Sequence, residues 1–130
     1  MTNKENFYFT FKEELDFVQR QIEAEKIFKK FKSRVPVVIE KSTTDKRTPD
    51  IKQTKYLIPD DFTFQQFVHI IRNRLKLLPE QSLYVILNGN RVVQQEKLMG
   101  QVYEDYRDED GFLYCKYAAE NFTGWLVGQN

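Results

Sequence analysis

Asp108-Glu109-Asp110-Gly111-Phe112-Leu113-Tyr114-Cys115-Lys116-Tyr117, close to the end of the chain, joins a polar turn to a run that reads as a buried strand. Asp108 to Gly111 are turn formers, and an apolar run of this length beginning at such a turn is strand-like. After Ala118 the chain continues as a tail that contains Gly124 and ends in Trp125 to Asn130. A strand this late in a sequence is central only if earlier segments flank it on both sides. The fold therefore turns on what the preceding chain supplies.

Immediately upstream, Leu98, Met99, Val102, Tyr103 and Tyr106 recur at helical spacing and predict a short helix. Before it, Leu83 to Leu87 reads as an apolar strand, Asn88-Gly89 is a turn dipeptide, and Arg91 to Val93 offers a short return strand. The sharpest local signal lies further back. Thr63 and Gln66 have capping-box spacing, and Phe62 with Phe67 matches a hydrophobic staple. Phe64, Phe67, Val68, Ile71 and Leu75 continue one face, so a helix is predicted from about Phe64 to Leu75. Arg72, Arg74 and Lys76 sit at the end that the helix dipole favours.

Lys55 to Pro59 reads as a strand that Pro59 ends, and because proline cannot continue a central ladder the strand belongs at an edge. Lys41 to Lys52, polar and carrying Pro49, reads as a loop, and Val35 to Glu40 as a strand dense in β-branched residues. Phe17, Ala24, Ile27, Phe28 and Phe31 form the stripe of an earlier helix, with Glu13, Glu14 and Asp16 near its start and Lys29, Lys30 and Lys32 near its end. Val35, held out of the α region by Pro36, closes that helix. A first helical turn is expected near Lys12 to Leu15. The order is helix, strand, strand, helix, strand, short helix, strand, which is an α+β fold.

A chain of 130 residues and 15.6 kDa suits one domain that buries a continuous core without a disulfide or structural metal. The expected organisation is a flexible start over 1–8, a domain over 9–118 and a tail over 119–130. With 20 basic and 19 acidic side chains the net charge is +1, so no global field draws the protein to nucleic acid or an anionic membrane. Cys115 is the sole cysteine and excludes an internal disulfide or a multi-cysteine zinc site. No apolar run approaches the ~20 residues of a spanning helix and no signal-peptide core precedes the first charges, so the cytosol is the expected compartment. The sequon Asn121-Phe122-Thr123 then reads as chance. His69 has no second histidine with which to share a metal or a triad, and Cys115 has no general-base partner. No cofactor and no catalytic activity of its own are expected.

Several ordered segments carry a further signal: Phe11-Lys12-Glu13-Glu14, Arg34-Val35-Pro36-Val37, Glu40-Lys41, Lys55-Tyr56-Leu57-Ile58-Pro59, Ile71-Arg72-Asn73-Arg74, Asp110-Gly111-Phe112-Leu113-Tyr114 and Glu120-Asn121. Together they resemble the autophagy ubiquitin-like modifier family, which includes the GABA-receptor-associated proteins and the microtubule-associated light chains. The match runs in register from roughly Phe9 to Gly124. It implies a ubiquitin-like β-grasp core with two additional N-terminal helices.

The resemblance also implies a life cycle. A cysteine protease trims the tail after Gly124, removing Trp125 to Asn130. Activating and conjugating enzymes then carry the new carboxylate as a thioester, and it is finally amide-linked to phosphatidylethanolamine. A glycine, lacking Cβ, fits the narrow clefts of such enzymes. A two-chain lipid holds stably where one chain is marginal, since each buried methylene contributes about 0.8 kcal/mol. The implied locations are the cytoplasm and the autophagosomal membrane, and the implied solution state is a monomer.

An edge strand with unpaired backbone groups accepts an extended peptide by β-augmentation. By resemblance, cargo receptors with aromatic-x-x-aliphatic motifs dock at Lys55 to Ile58. Glu23, Ile27, Pro36, Val38, Lys55, Leu57 and Phe112 would hold the aromatic residue, and Tyr56, Ile58, Pro59, Phe62, Phe67, Ile70 and Ile71 the aliphatic one. Phe67 and Ile71 are expected to serve the core as well. Lys52, Lys55 and Arg74 would attract acidic residues beside the motif. The alternative reading is an unconjugated ubiquitin-like adaptor in cytoskeletal or vesicle trafficking.

Overall fold

A computed structural model describes residues 8–87 and 91–119. Gly124 with the rest of the tail and the Asn88-Gly89 turn lie outside the described residues. Among the described residues eight elements follow in order: α1 (Thr10–Glu14), α2 (Phe17–Lys30), β1 (Arg34–Lys41), β2 (Lys55–Pro59), α3 (Phe64–Leu75), β3 (Leu83–Leu87), α4 (Met99–Tyr106) and β4 (Leu113–Ala119). The sheet order is β2-β1-β4-β3, with β1 and β4 parallel and both outer pairs antiparallel. The last strand is thus central and β2 lies at an edge, as the tail turn and Pro59 lead one to expect.

Every residue of β4 is buried, because both faces of the sheet are covered. On one face Leu113, Cys115 and Tyr117 join the main core with Phe64, Phe67 and Ile71 of α3 and Met99 and Val102 of α4. On the other, Phe112 and Tyr114 pack with Phe9, Ala24 and Val38 beneath the N-terminal helices. Helix α3 has the bounds its capping box predicts. The Gln66 amide donates to Thr63 Oγ1 at 3.1 Å, and the Thr63 amide donates to Gln66 Oε1 at 2.7 Å.

Several expectations need correction. The return strand Arg91 to Val93 is only a single bridge between Leu87 and Arg91. Leu98 precedes α4 instead of packing within it and is exposed. The stripe of α2 is narrower than its spacing suggests: Phe17 is 40% exposed and Phe31 falls beyond the last turn. Arg20 takes the buried position alongside Ala24, because its guanidinium has a carboxylate to meet, Asp110 at 2.8 Å. The start of α2 is fixed by a second capping box, Asp16 with Gln19. The polar stretch after β1 is a loop, as read, but it is nailed to β4. Asp45 Oδ2 accepts from the Thr48 hydroxyl at 2.6 Å and the Ala119 amide at 3.2 Å. Tyr117 Oη donates to the Pro49 carbonyl at 2.7 Å and accepts from the Ile51 amide at 2.8 Å.

One residue of β4 breaks the apolar pattern. Lys116 lies between Glu40 of β1 and Ile86 of β3 and is 1% exposed. Its ammonium donates to the Tyr8 and Lys41 carbonyls and stands 4.3 Å over the Phe9 ring. Burial pulls its pKa down from 10.5 to about 8, against the opposing pull of the Glu40 carboxylate. Below pH 8 folded and unfolded chains both hold this proton, and the burial penalty is fully present. Between about pH 8 and 10.4 the folded state releases it first, so stability rises with pH by up to about 3 kcal/mol. Urea titrations at pH 7 and 9.5 should show the wild type gaining stability relative to Lys116→Met; an equal response of the two proteins would refute this.

Candidate functional site

The register explains why β2 presents an open edge. The Ile39 amide donates to the Thr54 carbonyl at 2.8 Å, so that pair exchanges hydrogen bonds. By antiparallel alternation Val37–Tyr56 and Val35–Ile58 do the same, whereas Val38–Lys55 and Pro36–Leu57 do not. Pro36 has no N–H to give, and it stands where β2 asks for none. Leu57 consequently turns its N–H and C=O away from β1, and no strand lies beyond it among the described residues. The other outward carbonyls of the strand are engaged: that of Lys55 accepts from Gln53 Nε2 at 2.7 Å and that of Pro59 from the Phe62 amide at 3.1 Å. Leu57 is the open rung.

Beside that rung lies a solvent-facing depression of about 620 Å³, walled by Glu23 and Ile27 of α2, by the whole of β2, and by Ile70 and Arg74 of α3. Lys55 pairs with Glu23 across one end, and burial lowers the pKa of its amine. Arg74 Nη1 donates to Gln53 Oε1 at 2.9 Å, with its guanidinium 5.6 Å from the Tyr56 ring. Burial raises the Tyr56 phenol pKa, partly offset by Arg74. The phenol Oη is buried without a hydrogen-bond partner. The site is thus a trough whose apolar wall residues, Ile27, Leu57, Ile58, Pro59 and Ile70, are flanked by the Glu23–Lys55 pair and by the cations Arg34 and Arg74.

Nine residues expected at the site converge there: Glu23, Ile27, Lys55, Tyr56, Leu57, Ile58, Pro59, Ile70 and Arg74. Seven others do not line the depression. Val38 and Phe112 have no exposure and belong to the core under α1 and α2, while Phe67 and Ile71 have none and belong to the main core. Phe62 is half-buried against the main core, Pro36 is buried opposite Leu57, and Lys52 is exposed on the loop. Tyr56 also packs inward, 4% exposed with its ring on Phe67. Two wall residues, Arg34 and Gln53, are additions. Arg34 sits opposite Pro59 in register, a signal that appears only once the strand pair is known.

Among the described residues no group of histidine, cysteine and carboxylate side chains is placed to hold a metal, and no helix is long and apolar enough to cross a membrane. Cys115 is buried, and burial pushes its thiol pKa up, which disfavours the thiolate.

Residues 19–124 match the family described as autophagy protein Atg8, ubiquitin-like. The chain belongs to this family. It is a ubiquitin-like modifier of autophagy, and relatives named autophagy-related protein 8 are similar along nearly their whole length. That of Mycosarcoma maydis is 44% identical over 117 residues, covering 89% of this chain and 97% of its own. That of Candida glabrata is 40% identical, covering 89% and 97%. Autophagy-related protein 8e of Arabidopsis thaliana is 43% identical, covering 88% and 92%. The crystal structure of Trypanosoma brucei ATG8 superposes with a TM-score of 0.80 at 34% identity, covering 87% of this chain and 96% of that one. For this Atg8-family chain the ubiquitin-like α+β fold is therefore supported by sequence and by structure.

Proposed function

We propose that this chain is a conjugatable modifier: trimmed by a cysteine protease after Gly124, passed through activating and conjugating enzymes, and joined by the Gly124 carboxylate to phosphatidylethanolamine on autophagosomal membrane. There it recruits receptors whose short aromatic-x-x-aliphatic segments add a strand to β2. It moves between cytoplasm and vesicle, acts as a monomer and catalyses nothing itself. The observation that carries the docking half is the open Leu57 rung beside an apolar trough. Two apolar anchors contribute about 1.5–3 kcal/mol each before ordering costs, which points to a moderate, reversible complex.

The conjugation half rests on family membership and on a tail glycine beyond a fully buried strand. Incubation with the family's processing protease should remove residues 125–130, read as the mass loss of that hexapeptide. In cells Gly124→Ala should abolish the lipid-linked species and the membrane-bound fraction together. Unchanged mass and unchanged fractionation would favour the unconjugated adaptor instead.

A further inference from the structure

Phe11 touches two of the residues expected around the peptide's aromatic side chain, Phe112 and Lys55. Its ring meets Phe112 edge-on at 5.1 Å and lies 6.4 Å from Tyr114. Lys55, which pairs with Glu23 at the inner end of the trough, holds its ammonium 5.4 Å from the same ring. Phe11 thus packs on the cluster in which Phe112 and Val38 lie without exposure beside Phe9 and Ala24.

Phe9 anchors the chain in the core, 4% exposed with its ring edge-on to Tyr114 at 4.9 Å, and the helix carrying Phe11 beyond it is held by a clasp. Helix α1 has five residues, none of them buried, too few to be stable alone. One Glu40 carboxylate accepts both the Thr10 amide at 2.8 Å and the Phe11 amide at 3.1 Å. Lys116 donates to the Tyr8 carbonyl, and Lys12 pairs with Asp108 at 3.0 Å. Such a segment belongs to the low end of local stability, able to detach while the sheet stays intact.

We propose that Phe11 is an intramolecular occupant of the aromatic subsite, and that residues 10–14 must leave their clasp at Glu40 before a peptide can seat both anchors. The proposal rests on the docking reading above. It makes the apparent affinity equal to the intrinsic affinity scaled by the fraction of molecules with the segment released.

Titration of the full-length protein with a short aromatic-x-x-aliphatic peptide tests it. Phe11→Ala should tighten binding about tenfold, and a peptide with alanine in place of the aromatic residue should show no such gain. Glu40→Gln, which leaves the Phe11 ring intact, should act in the same direction and accelerate exchange of the Thr10 and Phe11 amides. In the wild type those two amides should lose protection when peptide saturates the protein. Tighter binding of the aromatic peptide alone, with that loss of protection, supports the occupant. Unchanged or weaker binding to Phe11→Ala, or protection retained at saturation, overturns it and makes Phe11 a wall of the pocket. Failure of the docking reading looks different: wild type and both variants all fail to bind either peptide.

Discussion

Replacing Asp110 by alanine is expected to lower the unfolding free energy by about 3–5 kcal/mol, the range for removing one partner of a buried ion pair. The carboxylate is 1% exposed and fully committed. Oδ2 accepts from Arg20 Nε at 2.8 Å and from Tyr114 Oη at 2.5 Å, and Oδ1 accepts from the Phe112 amide at 2.8 Å. Arg20 extends the network to the Leu15 carbonyl at 2.7 Å. One carboxylate therefore ties the α1–α2 junction to the start of β4. Its loss strands a nearly buried guanidinium and a phenol whose pKa burial and Asp110 both already raise. The adjacent backbone offers no relief: Gly111 has φ +97°, and a Cβ there would meet Ala24 Cβ at 2.7 Å. Urea titration should show a lower midpoint with an unchanged slope. A loss under about 1 kcal/mol, the worth of an exposed pair, would contradict the network's role.

The second large effect concerns recognition. Leu57→Asp is expected to weaken binding of an aromatic-x-x-aliphatic peptide at least about a hundredfold, since it removes an apolar contact and sets an unpaired carboxylate against the arriving segment. Leu57 suits the test because it is half-buried on the edge strand and its own backbone exchanges no hydrogen bond with Pro36. Tyr56 would be a poor choice, since truncation opens the core against Phe67. Melting temperature should stay near that of the wild type. Retained affinity would remove the trough from the account.

What could be read beforehand followed from local rules. Pro59 placed β2 at an edge, Thr63 and Gln66 bounded α3, and the turn at Asp108 to Gly111 introduced a strand that proved central. The Asp16–Gln19 box has the same spacing as the Thr63–Gln66 box and lies among acidic residues that the helix dipole already favours there. Other features depend on partners far along the chain. Arg20 finds Asp110 90 residues away, and Lys116 finds Tyr8 108 residues away, so their burial has no local signature. The same holds for the pocket residues. Alternation puts Phe112 and Val38 on the face away from the main core, but only the tertiary fold brings Phe11 over them.

The most direct test of the central claim, that β2 is the recognition edge, is a titration with an aromatic-x-x-aliphatic peptide that follows every backbone amide. The expected result is that the largest shifts fall on Lys55 to Ile58, and that Leu57 N–H gains protection from exchange as the new strand pairs with it. Largest shifts along Leu83 to Leu87 at the opposite edge, with Leu57 N–H still exchanging freely, would contradict it.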